Sequence, residues 1–200
     1  MNMKIGIYGG TFSPVHNGHV AIAKAFVSQT GIDRLYIIPN FSPPHKSDVA
    51  GADTGDRVYM LREAMKDIPK AEISDMEIKR GGKSYTVDTL RELSKEGELF
   101  LLCGSDMFLS IETWREPSEI FRLAHIVVGR RENDFETGEQ IRRYKADLET
   151  RCNASVIEIF FPPVVVSSEE IREKIKKGLP IDGLLPEGVA EYIKKKHLYV

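Results

Sequence analysis

Lys4-Ile5-Gly6-Ile7-Tyr8-Gly9-Gly10-Thr11-Phe12-Ser13-Pro14-Val15-His16-Asn17-Gly18-His19-Val20-Ala21-Ile22-Ala23 passes from an apolar run through two glycines and a polar turn into a helical pattern. The run from Lys4 to Tyr8 has the length and composition of a buried strand. Beyond the turn, Val20, Ile22, Ala23, Phe26 and Val27 recur at helical spacing, and Gly31 follows as a C-terminal stop. A buried strand, a glycine turn and a helix in that order open an α/β unit whose parallel sheet is covered on both faces.

The rest of the chain repeats that alternation. Leu35 to Pro39, Ala71 to Ile78, Leu99 to Cys103, His125 to Gly129 and Val156 to Phe161 are expected as strands. Helices are expected over Asp56 to Lys66, with Val58, Leu61 and Met65 inward, and over Thr86 to Glu96, Glu139 to Leu148, Glu170 to Lys177 and Pro186 to Lys196. In the last of these Val189, Tyr192 and Ile193 face inward. Two prolines keep Asn40-Phe41-Ser42-Pro43-Pro44-His45-Lys46 irregular. The expected fold is one Rossmann-like, doubly wound α/β domain over residues 1–200, with ligands above the carboxyl ends of its strands.

Composition narrows the class. A 200-residue chain that is 42% hydrophobic and 29% charged suits one soluble globular domain. A formal charge of -2 supplies no global field for coating a nucleic acid, so any polyanion must be held locally. No apolar run approaches the roughly 20 residues that span a bilayer, and Met1-Asn2-Met3-Lys4 runs straight into a strand, so a cytoplasmic protein is expected. Cys103 and Cys152 are expected to be structural thiols rather than a disulfide or zinc pair. Gly82-Lys83-Ser84 ends like a Walker loop, but Glu77 stands where that loop needs its first glycine, so the motif is rejected.

Two constellations carry chemistry. His16 and His19 bracket Gly18 near a helix start, three positions apart and so on one face. A helix N-terminus offers unpaired N–H groups and partial positive charge, glycines admit a close ligand, and imidazoles donate hydrogen bonds. A phosphate group matches that set. The bland alternative is a pair of surface or capping histidines. In Val166-Ser167-Ser168-Glu169-Glu170-Ile171-Arg172 an arginine stands one turn after Ser168, beside a second helix N-terminus, where it can neutralise negative charge on a ligand. Ser167-x-x-Glu170 is also a capping box, which explains the serine and glutamate without a ligand, and both readings hold together.

Gly9-Gly10-Thr11-Phe12 with His16-x-Gly18-His19 resembles the signature of the H-x-G-H nucleotidylyltransferase superfamily, and Val166 to Arg172 resembles its C-terminal I-S-S-T-x-I-R pattern. Ser13 stands where the family has aspartate, and serine makes a weaker version of the same turn. Glu169 replaces threonine and is expected to point away from a triphosphate. Pro43-Pro44-His45-Lys46, Ser84-Tyr85-Thr86-Val87-Asp88-Thr89-Leu90, Gly104-Ser105-Asp106, Trp114, Leu185 to Ile193 and Leu198-Tyr199 extend the resemblance, through nearly the whole chain, to bacterial nicotinate-nucleotide adenylyltransferases. The resemblance implies that His16, His19 and Arg172 are catalytic and that Gly9, Gly10, Thr11, Phe12, Gly18, Gly104, Asp106, Ser167 and Ser168 bind ATP. It further implies that Lys46, Thr86 and Trp114 hold nicotinate mononucleotide, and that Mg²⁺ arrives with ATP at no dedicated protein site. Trp114, the single tryptophan, offers an indole to stack on a pyridine ring, and Ile111 to Pro117 is too polar to look like core. The alternatives are a superfamily member with another phosphate acceptor and a non-catalytic nucleotide-binding regulator. His125 and His197 are taken as structural, and His45 and Arg130 carry no assigned role.

Overall fold

A computed structural model describes residues 2–42, 51–131, 135–164 and 166–200. Within them six strands form one parallel sheet in the order β3-β2-β1-β4-β5-β6: β1 Lys4–Gly10, β2 Arg34–Pro39, β3 Ala71–Ile73, β4 Glu98–Gly104, β5 Ala124–Arg131 and β6 Val156–Phe161. The chain winds outward from β1 in one direction and then restarts at β4, which pairs with the other edge of β1. The loops after β1 and β4 therefore part at the carboxyl edge, leaving the crevice in which doubly wound sheets hold ligands.

Alternation along the strands divides the core into two layers. Tyr8, Leu35, Ile37, Phe100, Leu102, Val127 and Ile159 pack against α1 (Asn17–Thr30), α2 (Thr54–Met65), α8 (Ser168–Lys176) and α9 (Glu187–Lys196). Ile5, Ile7, Ile38, Leu99, Leu101, Ile126 and Val128 face α4 (Thr86–Leu93), α5 (Ser105–Leu109), α6 (Pro117–Leu123) and α7 (Phe135–Cys152). Helix α1 crosses the sheet closely because two strand residues lack side chains. A Cβ on Gly6 would lie 2.5 Å from Ile32 Cδ1, and one on Gly129 would overlap Ile22.

Several sequence expectations need correction. The strand expected over Ala71 to Ile78 stops at Ile73, and Met76–Arg80 forms a short helix, α3, which turns Glu77 inward. On α2 the buried stripe is Arg57, Met60, Leu61, Ala64 and Met65, so it is rotated to include an arginine in place of Val58. Phe135–Cys152 is much longer than the helix expected over Glu139 to Leu148, while α4 ends at Leu93 rather than Glu96. Helices α5 and α6 and the 3₁₀ turn Ile111–Thr113 lie in a stretch given no helix by periodicity. They are too short to show a repeating pattern.

Both cysteines are free thiols, and burial pushes Cys103 up to about 12, which leaves it inert. No helix among the described residues is long and apolar enough to cross a membrane.

Candidate active site

The loop from Gly10 to His16 runs over the carboxyl end of β1, and its histidines cap α1 reciprocally. His16 is the N-cap residue, and its Nδ1 accepts a hydrogen bond from the His19 backbone N–H (3.4 Å). His19 Nδ1 in turn accepts from the His16 N–H (3.2 Å). The geometry is that of a capping box with imidazoles in place of the usual serine and glutamate. Because each Nδ1 accepts, each ring proton sits on Nε2, so both histidines are neutral Nε2–H donors.

The two rings stack with centroids 3.6 Å apart, and His19 also meets the Phe12 ring edge-on. Burial lowers the His16 pKa to about 4, with the positive charge of Arg131 adding to the effect. Burial and the neighbouring His16 hold His19 well below the usual histidine range. Gly18 leaves room for this stack, since a Cβ there would press within 3.0 Å of His16 Nδ1.

Two of the N–H groups at the start of α1 are paired within the protein. Asn17 N donates to Leu184 O, and His19 N donates to the His16 carbonyl as well as to its ring. The histidine rings stand at that same helix end. Gly9 faces open space, whereas the room beside Gly10 is taken by the Phe12 ring, 2.8 Å from a hypothetical Cβ.

The C-terminal motif meets the same loop. Ser167 caps α8 by accepting from Glu170 N (3.1 Å), one half of the capping box read from the sequence. Ser168 Oγ donates to Pro14 O (2.9 Å), and Arg172 Nη1 donates to Ser13 O (2.7 Å). Arg172 keeps further N–H donors beyond this bond. Glu169 is exposed. Gly104 ends β4 and Asp106 lies in the first turn of α5 on the other side of the crevice, close enough for its charge to act on the buried Tyr8 hydroxyl.

A third side is built by the loops after β2, before α4 and before α6. Phe41 N donates to Ser84 Oγ, Ser84 N donates to Ser42 O, and Ser42 pairs with Lys83 in a single parallel bridge. Thr86 is the first residue of α4, one past the N-cap Tyr85, whose side chain makes no capping bond. Arg115 lies over the Tyr85 ring (4.6 Å) and 3.9 Å from Asp88, which draws the Trp114 segment against the start of α4. Trp114 is less open than the polarity of its segment suggested. It is partly buried against the second core layer, beside the fully buried Ile111. Lys46 and His45, with Pro43 and Pro44, lie outside the described residues.

Arg57 and Asn40 were missed. Arg57 is buried, and its guanidinium donates to Thr11 O (2.9 Å) and Asn40 O (2.7 Å), while Asn40 Nδ2 reaches Thr11 Oγ1 (3.1 Å). The available signal was a cation three and four positions before Met60 and Leu61 on the apolar stripe of α2. His125 bridges Glu98 and Ser155 at the opposite edge of the sheet, and Arg130 lies over Phe160 near Glu158. His125 lies near the amino end of β5, whereas Arg130 stands beside Arg131 at its carboxyl end, and His197 serves as the C-cap of α9.

Comparison with known proteins gives the family. The family model described as cytidylyltransferase-like matches residues 7–174. A probable nicotinate-nucleotide adenylyltransferase of Desulfitobacterium hafniense is 39% identical over 98% of this chain and 95% of its own. One from Dictyoglomus thermophilum is also 39% identical, over 99% of this chain and all of its own (100%).

The chain belongs to the nicotinate-nucleotide adenylyltransferase family.

Among solved structures, the Plasmodium falciparum nicotinic acid mononucleotide adenylyltransferase complexed with NaAD superposes with a TM-score of 0.78. It covers 99% of this chain and 98% of its own at 19% identity, and so attests the fold. The two motifs singled out in the sequence thus lie at opposite ends of it and meet on one loop.

Proposed function

We propose that this chain is a cytoplasmic adenylyltransferase that moves AMP from ATP to nicotinate mononucleotide, giving deamido-NAD and pyrophosphate. The observation that carries the reading is the closure of Arg172 and Ser168 onto Ser13 and Pro14, which gathers both family motifs at the crevice between β1 and β4. The acceptor follows from relatives named for this reaction that match the chain end to end.

The chemistry is direct in-line attack of the mononucleotide phosphate on the α-phosphorus of ATP. That phosphate is already largely ionised near neutral pH, so positioning and charge stabilisation are the protein's task. His16 and His19 donate their Nε2–H groups to triphosphate oxygens while remaining uncharged. The spare donors of Arg172 balance charge on the departing pyrophosphate, and Ser167 and Ser168 hold α8 against it. Gly9, Gly10, Thr11, Phe12 and Gly18 shape the triphosphate side, and Gly104 and Asp106 the ribose side. The mononucleotide takes Lys46 for its phosphate, the first turn of α4 at Thr86 for its carboxylate and Trp114 for its ring.

Magnesium enters as part of the MgATP substrate. Among the described residues no group of three or more histidine, cysteine, aspartate or glutamate side chains could hold a metal ion. Magnesium commonly takes most of its ligands from substrate phosphates and water.

Pyrophosphate release from MgATP should be followed with nicotinate mononucleotide, nicotinamide mononucleotide and phosphopantetheine as acceptors. Release with the first and none with the last is expected. No release with nicotinate mononucleotide would overturn the reading, and equal rates with both mononucleotides would move the selectivity away from Thr86.

A further inference from the structure

The end of the chain reaches the histidine loop. Tyr199, the penultimate residue, is 3% exposed, and its hydroxyl lies 2.9 Å from Ser13 Oγ, which is itself 1% exposed. The backbone adopts left-handed conformations at both His197 (φ 52°) and Tyr199 (φ 65°), an unfavourable pair for residues with side chains. Leu198 between them is buried in the first core layer, with its N–H on Ile193 O. The turn thus brings the tyrosine ring inward at a local conformational cost. Its other neighbours are equally tight: a Cβ on Gly51 would lie 2.8 Å from Tyr199 Cδ1, and the charges of Arg172 and Arg57 both act on the phenol.

Ser13 is three residues before His16, and each neighbouring part of the loop is also held by a distant side chain. Arg57 takes Thr11 O, Arg172 takes Ser13 O, Ser168 takes Pro14 O, and Asn17 Nδ2 donates to Gly183 O. The loop carries both histidine donors, so its position sets theirs. A hydroxyl buried without a partner is costly, and here two buried hydroxyls satisfy one another. Ser13 is also where the superfamily pattern has aspartate. The Ser13–Tyr199 pair is the bond that this chain makes at that position.

We infer that Tyr199 is a positioning residue for nucleotidyl transfer: through the Ser13 hydroxyl it fixes the loop bearing His16 and His19, making the chain's end part of the catalytic apparatus. The inference rests on the adenylyltransferase reading, and Tyr199 acts through Ser13 rather than on the substrate. Small displacements of such a loop are felt in rate, since misplacement by about 1 Å can lower catalysis by about a hundredfold.

The test is a double-mutant cycle in the full chain with Tyr199→Phe, Ser13→Ala and the double variant. Each removes little more than one oxygen atom. Steady-state kinetics, thermal melting and the Kd of a non-hydrolysable ATP analogue are measured for each. Each single variant should lose about tenfold in kcat/KM for ATP, the scale of one buried hydrogen bond. The double variant should also lose about tenfold rather than a hundredfold, because both changes break the same bond. The KM for nicotinate mononucleotide should hold within about twofold.

Lowered melting temperatures with unchanged kinetic constants would reduce the bond to a structural tie and overturn the inference. So would additive losses, or the failure of both single variants to fold. If the wild type releases no pyrophosphate with nicotinate mononucleotide, the acceptor reading falls and the analogue Kd decides. A loss of about tenfold in affinity, shared by the single and double variants, upholds the positioning role, and an unchanged or undetectable wild-type and variant affinity overturns it.

Discussion

His16 and His19 each do two things with one ring. The Nδ1 atoms replace side-chain oxygens at the cap of α1, and that bond leaves the proton on Nε2. The spacing of the pair was legible, because three positions at a helix start put both on one face. The tautomer was not, because it depends on which backbone N–H groups the rings meet. Burial lowers the His16 pKa to about 4, below its ordinary value of 6.5. A depressed histidine pKa contributes stability above the unfolded value, and that contribution is lost as pH falls through the folded one. Urea unfolding should therefore show the wild type losing stability between pH 6.5 and about 4. His16→Asn, which keeps a good N-cap, should lose less over the same interval. Equal acid sensitivity of the two proteins would show that the ring is protonated freely in the fold.

At the scale of elements, the short helix α3 replaces half of an expected strand and buries a carboxylate. Thr89 donates to Glu77 Oε1 (2.6 Å), Ser84 also bonds it, and Arg80 reaches Thr89 and Glu92. This cluster ties α3 to α4 and so holds the Ser84–Thr86 side of the site. Burial raises the Glu77 pKa above the usual carboxylate range, and the hydrogen bonds from Thr89 and Ser84 offset only part of that. The sign follows from linkage: a raised folded-state pKa favours the fold below the unfolded value, and the advantage is lost as pH rises through the folded one. Glu77→Gln keeps an acceptor for Thr89 without the charge. Its stability relative to the wild type should improve as pH rises above the ordinary carboxylate range, in denaturant titrations at each pH. A constant difference would mean that Glu77 ionises as readily as an exposed carboxylate. None of this was visible in Ala71 to Ile78, where apolar and polar residues alternate on either side of a break at Ser74-Asp75. Packing of Met76 and Glu77 onto α4 decides for helix.

For the whole molecule, the sheet order places β1 and β4 side by side and sends their loops apart, so one crevice receives parts from residues 9 to 199. A ligand that binds across it stabilises the entire domain by mass action. MgATP at about 100 times its Kd should add about 2.7 kcal/mol, a rise in Tm of roughly 5–10 °C for a domain of this size, and dialysis should reverse it. No shift would mean that the crevice is not the nucleotide site. The sequence by itself determined the α/β class, the core of each β-strand though not the end of β3, the histidine loop and the cap at Ser167, because each is written in residues within one helical turn or one strand of each other. Tertiary structure alone decided that Arg57 and Asn40 hold Thr11, that Arg172 and Ser168 close on Ser13 and Pro14, that Glu77 is buried, and that Tyr199 meets Ser13. Those contacts join residues from 12 to 186 positions apart, and periodicity carries no information about which distant partner a buried polar group will find.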